Sequence, residues 1–518
     1  MIVKNTGKLS WSHSSGKHVC FLLLFCVAAT TTLSAQSFTK LVTFNLANGA
    51  LPLGSLTQGV DGNLYGTASG GGPKGFGTAF QMTTAGDMTI IYNFCSIGAC
   101  ADGSGPISGL GLGVDGNFYG VTPTGGMSGD YCNSSSRCGT VFKLTPTGTL
   151  TTLYSFCIQS FCADGADPVG GLVQGANGDF YGTTFGGDIF TSSGVVFKIT
   201  SNGEYTVVHD LASSDGYDPE SALIEGRDGN FYGTALEGGG PTFCPSGGSC
   251  GTIFKMSPSG KFSVLYDFCL QGAPCHDGSN PFGGLVQGSD GNFYGTTLFG
   301  GTSAFYGTIF KITPSGTLTT LYRFCSKANC ADGVAPEGTL VEGTDGNFYG
   351  TTQAGGRPGC TNVDTGLTGC GTIFRITPAG KLTTLYGFCP QKNCPDGALP
   401  QAGLFQATDG NFYGTTIYGG AHDCYNITCG TVYRLSVGLG PFVSLPQPSG
   451  KVGQSVQILG QGLTGTTEVS FNGTSAGFTI VSDTYIQTSV PTGATAGKIQ
   501  VTTPGGTLKS NVLFHVVP

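Results

Sequence analysis

One phrase constrains this chain more than any other, because it occurs seven times. It reads "SDGNFYGTT" at residues 289–297 and returns as "VDGNLYGTA", "VDGNFYGVT", "ANGDFYGTT", "RDGNFYGTA" and, twice, "TDGNFYGTT". Its opening turn residue is Asp61, Asp115, Asn177, Asp228, Asp290, Asp345 and Asp409, at spacings of 51 to 64 residues. A repeat of this period means an array of like units, none of which buries its own core alone.

Residues 283–324, "GGLVQGSDGNFYGTTLFGGTSAFYGTIFKITPSGTLTTLYRF", show the plan of one unit. Four short strands follow one another: "GLVQG", "NFYGTTL", "GTIFKI" and "TLTTLYRF". An Asp-Gly turn, a longer loop and the turn "TPSG" join them. Asp-Gly and Asn-Gly between β runs mark hairpins, since such turns need a positive φ that Gly and Asn tolerate. No long stretch has helical periodicity, and only 10% of the residues are charged. The expectation is an all-β chain. Four antiparallel strands at this period suit a propeller blade, so seven units predict a seven-bladed β-propeller.

Counting strands predicts how the ring closes. Units one to six each end in a fourth strand, from "DMTIIYNF" to "KLTTLYGF", but after "GTVYRLSVG" the seventh has none. The missing strand is "SFTKLVTFNL" at residues 37–46, followed by "ANGALPLGSL", which parallels "ADGADPVGGL" at residues 163–172. The N-terminal strand is therefore expected to complete the last blade and remove an exposed edge.

A pair of Gly ends each second strand, as at Gly300-Gly301, Gly125-Gly126 and Gly419-Gly420, which suggests a bend or close backbone approach. Kelch blades carry such a pair, but the kelch Trp is absent. The pattern "DGNFYGTT…GG…GTIFKITPSGTLTTLYRF" resembles the GloVer repeat of bacterial "choice-of-anchor tandem repeat" proteins, from Ser37 to about Val437. That resemblance implies an exported propeller-like protein with variable C-terminal modules. It brings no established activity and no catalytic residue.

Twenty Cys are present, two of them, Cys20 and Cys26, in the first 35 residues. The other eighteen form two sets. One follows the fourth strands: Cys95 with Cys100, Cys157 with Cys162, Cys269 with Cys275, Cys325 with Cys330, and Cys389 with Cys394. The other lies between second and third strands: Cys132 with Cys138, Cys244 with Cys250, Cys360 with Cys370, and Cys424 with Cys429. Where one member of a pair is missing its partner is missing too, as in "HDLASSDG", which points to nine local disulfides. The spacing, with no His cluster nearby, is poor for zinc. In an up-and-down blade the loops after strands two and four open on one face. All nine pairs are thus expected on the face with the longest and most variable loops, and this is the candidate functional face.

Other residues invite chemistry. An Asp precedes each new blade: Asp102, Asp164, Asp215, Asp277, Asp332 and Asp396, with Asn48 at the N-terminal equivalent. A ring of carboxylates could hold a cation, but capping of local amides is the reading preferred, as no Ca²⁺ loop pattern occurs. Tyr294 and its equivalents either form a ring of stacking aromatics or pack between blades, the second being preferred. His209, His276, His422 and His515 sit in unrelated contexts. No HExxH, G-x-S-x-G or phosphate-binding loop is present. No cofactor, metal site or catalytic residue is assigned, and a ligand-binding residue cannot be named from the sequence. A glycosidase carboxylate pair assembled in space would be invisible to spacing.

The ends complete the plan. Lys4, Lys8 and Lys17, the apolar run of residues 19–29 and the small Ala35 read as a signal peptide over 1–35. Gln36 stands where a lipoprotein would need Cys. Removal of this leader takes the net charge from −8 to −11 and removes the single Trp11. Such acidity argues against nucleic acid, and no later run is long enough to span a membrane. After the propeller, placed at 36–437, residues 438–518 carry no Cys and the strands "SVQILG", "EVSFNG", "YIQTSV" and "KIQVTT". With Gly450, Gly453, "VPTGATAGKIQVTTPGG" and Phe514 they resemble an IPT/TIG domain, which implies an immunoglobulin-like β-sandwich. The reading that follows is a secreted or cell-surface, non-catalytic scaffold that presents disulfide-stapled loops to a protein or glycan ligand. The alternatives are an enzyme acting on extracellular polysaccharide and a structural surface-layer component.

Overall fold

Seven four-stranded antiparallel sheets make up most of the computed structural model. It describes residues 36–517 apart from 127–137, 188–192, 241–243, 245–247, 271, 273, 304, 361–365 and 421–428. The expected leader and its Cys20 and Cys26 lie outside the described residues, as do Cys132, His422 and Cys424. In the fifth unit the strands are Val286–Gln287, Phe293–Thr297, Thr308–Ile312 and Leu318–Arg323, paired in that order. Strands two to four fall where the alternation puts them. The first strand is only two residues long, shorter than "GLVQG" suggests. Its flanking glycines run too close to neighbouring backbone for regular pairing: a Cβ on Gly283 would stand 2.8 Å from the Glu337 carbonyl oxygen.

Burial follows position in the sheet. Every residue of Phe293–Thr297 is buried, because this strand is covered on both faces by the neighbouring units. The outer strand Leu318–Arg323 is only partly covered and has no fully buried residue. This gradient explains why the second strand reads as a solid apolar and aromatic run while the fourth carries Thr, Lys and Ser.

Side-chain bonds stitch each unit to the next. The amides of Val114, Arg227 and Thr344 donate to Gln174, Gln287 and Gln406 at 2.9, 2.9 and 3.2 Å. Those of Ala176 and Ser289 donate to Glu225 and Glu342. The same bond runs from the amide of Thr408, in the seventh unit, to Gln58 in the first at 3.0 Å. The succession therefore returns to its start.

The N-terminal strand Ser37–Thr43 pairs antiparallel with Thr431–Ser436, as the strand count requires. It reproduces even the irregularity of the other outer strands. Its register slips at Leu41, as that of the fifth unit slips at Leu321. The bulged residue meets a turn glycine of the next unit: the would-be Cβ of Gly316 lies 2.7 Å from the Leu265 oxygen, and that of Gly86 lies 3.2 Å from the Leu41 oxygen. Both glycines have positive φ, so the turn and the close approach each call for Gly.

Residues 443–516 form a separate set of strands. Ser455–Leu459, Tyr485–Ser489 and Phe478–Ser482 make one sheet, and Thr474–Ala476, Glu468–Phe471, Ile499–Thr503 and Gly506–Lys509 another. A single apolar cluster including Ile458, Phe471, Ile486 and Val501 joins the two sheets. This unit rests on the face that carries the Asp-Gly turns. Thr484 Oγ1 donates to the Val60 carbonyl at 2.8 Å, Gln457 Nε2 to Val114 at 2.8 Å and Gln447 Nε2 to Gly175 at 2.7 Å. The Phe442 amide donates to Thr408 at 3.1 Å. The short-turn face is thus the seat of the C-terminal unit.

Candidate functional site

The repeated phrase proves to be joinery. Asp290 Oδ1 accepts the Asn292 amide at 3.1 Å, while Oδ2 accepts Asn292 Nδ2 at 2.7 Å and the Tyr294 hydroxyl at 2.9 Å. Burial alone would raise this carboxyl, but the bonds from Asn292 and Tyr294 outweigh it and hold Asp290 below the ordinary range. Burial and the adjacent Asp290 push the Tyr294 phenol well up, so it stays a neutral donor. Its ring stacks on Phe348 of the next unit at 3.9 Å. Equivalent contacts join Tyr65 to Phe118, Tyr119 to Phe180, Tyr181 to Phe231, Tyr232 to Phe293 and Tyr349 to Phe412 at 3.8 to 4.1 Å. Tyr413 shares a core cluster with Leu64, because the first unit reads "NLYG". These buried rings present no face to a ligand.

The Asp before each new unit is a cap. Asp332 is fully buried, and its Oδ2 accepts the Tyr322 hydroxyl at 2.7 Å and the Ser326 amide and hydroxyl at 3.0 and 2.9 Å. Oδ1 accepts the Lys327 amide at 3.2 Å. Asp102, Asp164, Asp277 and Asp396 likewise accept the Tyr of their own fourth strand and amides of the following loop. Asp215 takes His209 in place of Tyr at 2.9 Å, in an outer loop without Cys. The carboxylates point into their own loops, not at a shared centre.

Those loops differ from the purely β expectation in one respect. The sequence places Cys100 and Cys162 in irregular loops, but each ends a short 3₁₀ turn, over Gly98–Cys100 and Ser160–Cys162. Ala328–Cys330 does the same. Local bonds wind these turns. The Cys100 amide donates to the Ile97 carbonyl at 3.0 Å and the Cys162 amide to that of Gln159 at 3.1 Å. The carbonyls of Cys100 and Cys162 in turn accept the Gly103 and Gly165 amides, both at 2.8 Å. Three residues of such winding are too few for a hydrophobic period, so no sequence pattern marks them.

The winding is tight as well as short. Cys325, Asn329 and Cys330 all have φ between 49° and 56°. Left-handed backbone recurs at Cys95 and Cys100, at Cys157 and Cys162, at Cys269 and Cys275, and at Cys389 and Cys394. Non-Gly residues held there cost about 1 kcal/mol or more each, and in these loops that cost falls at the cross-linked residues. Sulfurs are joined from Cys95 to Cys100, Cys157 to Cys162, Cys244 to Cys250, Cys269 to Cys275, Cys325 to Cys330, Cys360 to Cys370 and Cys389 to Cys394. Cys138 and Cys429 are also disulfide-bonded, the residues expected to pair with them being outside the described ones. In the fourth and sixth units the two cross-links lie side by side. The sulfurs of Cys244, Cys250, Cys269 and Cys275 fall within 4.8 Å of one another, as do those of Cys360, Cys370, Cys389 and Cys394. Joined as disulfides they offer no thiolate to a metal.

The face these loops build is open and apolar at its tips. Phe76, Ile97, Ile158, Phe161, Leu270 and Phe305 are 41–62% exposed. They make up two-thirds of the exposed large hydrophobics among the described residues. Phe161 also has a φ of 61°, an unusual conformation for a bulky residue.

At the centre lies a cavity of about 360 Å³ to which all seven units contribute. Each unit enters its first strand through the pattern Pro-x-x-x-Leu, and the residue after Pro lines the cavity in every unit. Around the ring these are Leu53, Ile107, Val169, Glu220, Phe282, Glu337 and Gln401. The residue before Pro is left-handed every time, from Leu51 at φ 57° to Leu399 at 55°. At this position units one to three are apolar and two of the next three carry carboxylates. Burial, with lesser contributions from Asp218 and Asp167, pushes Glu220 up to about 7. Burial and Glu237 push Asp218 up to about 6. Sequence reasoning missed these residues. The available signal was the position after an invariant Pro, which runs from Leu to Glu while the two residues that follow stay small.

Among the described residues, His209 bonds Asp215, His276 Nδ1 lies 3.0 Å from the Gly301 carbonyl, and the His515 imidazole is pushed down by burial and by Arg227. These three do not come together.

The sequence pattern of the Gloeobacter/Verrucomicrobia repeat matches residues 25–132, 131–363 and 245–480. The chain belongs to this family. The Gloeobacter/Verrucomicrobia repeat is therefore the unit described above, with its Asp-Asn-Tyr turn and Tyr-on-Phe stack. No curated protein matches the chain. Among solved structures, it is similar to a fungal alcohol oxidase of the AA5 family in complex with copper. That likeness has 12% identity and a TM-score of 0.51, over 93% of this chain and 99% of that one. At this identity it speaks for the fold alone. A second likeness is to the PQQ-bound aldose sugar dehydrogenase of Streptomyces coelicolor, at 12% identity and a TM-score of 0.38, over 78% of this chain and 99% of that one. Among the described residues no helix is long and apolar enough to cross a membrane.

Proposed function

We propose that this chain is an exported binding protein. In this reading residues 1–35 are a signal peptide cleaved near Ala35, and residues 36–437 are a seven-bladed propeller closed by the N-terminal strand. Residues 438–518 are an immunoglobulin-like sandwich of the IPT/TIG kind. All eighteen remaining Cys pair locally, and the disulfide-stapled face takes a protein or glycan ligand outside the reducing cytosol. The division of the two faces carries this reading. One face is occupied by the C-terminal unit, through Thr484, Gln457 and Gln447. The other holds, among the described residues, the exposed apolar tips Ile97, Phe161 and Leu270. A rigid scaffold with an uncovered apolar rim is the usual form of an interaction site. The test is a glycan array and a surface-protein pull-down with the purified mature chain, beside an Ile97→Ser, Phe161→Ser, Leu270→Ser variant. Binding by the parent and at least tenfold weaker binding by the variant is the expected result. No binding to any glycan or surface protein would sink the proposal.

Glu220 favours a second reading, an enzyme acting on polysaccharide in the central cavity. A carboxyl raised to about 7 beside a partly apolar wall is suited to general acid catalysis. Polysaccharide cleavage by the parent chain and none by Glu220→Gln would support it.

A further inference from the structure

The disulfide face is electrically lopsided. The residue that ends each outer strand is Asn93, Ser155, Asp210, Asp267, Arg323 and Gly387 in units one to six. At Gly387 the missing side chain is replaced. Arg357 lies across it, with Cγ and Nε 3.5 and 3.7 Å from where a Cβ would stand. Units five and six thus place an arginine at the same position, where units three and four place an aspartate. Each of these two units adds a lysine at the tip of its cysteine loop, Lys327 and Lys392.

All four cations are exposed, and among the described residues none has an ion-pair partner. The local acids are committed elsewhere. Asp332 is buried under the amides of Ser326 and Lys327, and Asp396 accepts Tyr386 and the Cys389 amide. Asp364 lies outside the described residues. Arg323 is held in place by its Nε bond to the His276 carbonyl at 2.9 Å. Apart from Lys74, whose Nζ donates to the Cys95 carbonyl, no other described Lys or Arg lies in the loops of this face.

We propose that units five and six form a binding site for an anionic polysaccharide, one bearing carboxylate or sulfate groups along its chain. This rests on the disulfide face being the ligand face. An arginine-lysine pair repeated on two adjacent blades matches a ligand whose charge also repeats, whereas a single small anion would meet only one pair. The arginine fork suits carboxylate and sulfate oxygens, and the lysine adds a point charge. Disulfide-wound loops fix the backbone that carries Lys327 and Lys392, and Arg323 is held by its bond to His276, which lowers the ordering cost of binding. In a chain of net charge −8 such a cluster is a local reversal of field that steers polyanions to one sector.

The probes are polygalacturonate, dextran sulfate and uncharged dextran, with binding to the immobilised mature chain measured at low and moderate salt. Both anionic polymers are expected to bind, more weakly as salt rises, and dextran is not. The double variants Arg323→Ala, Lys327→Ala and Arg357→Ala, Lys392→Ala are each expected to lose tenfold or more. Lys261→Ala, Lys381→Ala, at the turns that open two outer strands on the opposite side, is expected to bind as the parent does. Equal binding by the double variants, or anionic vesicles or duplex DNA bound in preference to both polymers, would overturn the site. If neutral glycans or surface proteins still bind while the anionic polymers do not, this inference falls and the broader reading stands. If nothing binds, both fall.

Discussion

Tyr294 does two jobs that the sequence merges into one letter. Its ring stacks on Phe348 at 3.9 Å and its hydroxyl bonds Asp290 at 2.9 Å. The two can be separated. Tyr294→Phe keeps the stack and is expected to cost about 1 kcal/mol, the net value of one hydrogen bond. Tyr294→Ala opens a cavity between two units and is expected to cost about 3–5 kcal/mol. Urea unfolding checks both, and equal losses would contradict the division. Glu220 supplies a second prediction at this scale. Its ordinary value is near 4.5 and burial raises it to about 7, so the folded protein holds this proton more tightly than the unfolded chain. The folded state is favoured below pH 4.5, and that advantage drains away as pH climbs to 7. Over this window Glu220→Gln is expected to flatten the fall in stability by about 2 kcal/mol, after allowance for partial exposure. Part of the slope should persist in the variant, because Asp218, raised to about 6, titrates in the same direction. Thermal unfolding from pH 4 to 8 is the measurement.

The cysteine loop is the element on which the candidate face depends. Its two Cys and an intervening residue are left-handed, and one buried Asp receives its amides and a Tyr hydroxyl. The pair Cys325→Ser, Cys330→Ser removes the constraint and leaves the cap. A loop this short loses about 2 kcal/mol in the chain-entropy account. The expected outcome is a loss of that order in chemical unfolding, together with faster amide exchange confined to residues 325–333. Exchange spreading into Thr308–Ile312 would show that the cross-link supports the blade itself. The hairpins, the Gly pairs and the joint absence of Cys from one loop were all legible from chain comparison, because each depends on local backbone geometry. Gly300 is a case: its would-be Cβ lies 2.7 Å from the Gly278 Cα, a close approach that only a pair of glycines permits. The shortened first strand was not legible, since its length is set by the neighbouring unit. Nor were the 3₁₀ turns that end at Cys100 and Cys162, which are too short to leave a pattern.

For the molecule as a whole, one strand of seven residues completes the seventh sheet. Deleting Ser37–Thr43 leaves Thr431–Ser436 as an unpaired edge and uncovers Val432 and Tyr433, both now buried. The expected result is concentration-dependent self-association and a lowered unfolding temperature, read by light scattering and calorimetry. A monomer of unchanged stability would mean that the Gln58 to Thr408 bond and its surroundings hold the ring without the strand. The repeat, the four strands per unit, the need for an N-terminal partner and the turn role of Asp290 were determined by the sequence alone, because hairpin chemistry and side-chain alternation act over a few residues. Three things were decided only in three dimensions: the covering of the turn face by residues 443–516, the gathering of Glu220 and Glu337 at one cavity, and the placing of Arg357 over Gly387. The first two join different units, and the third joins two separate loops of one unit. No local pattern could announce them, because tertiary packing supplies their partners.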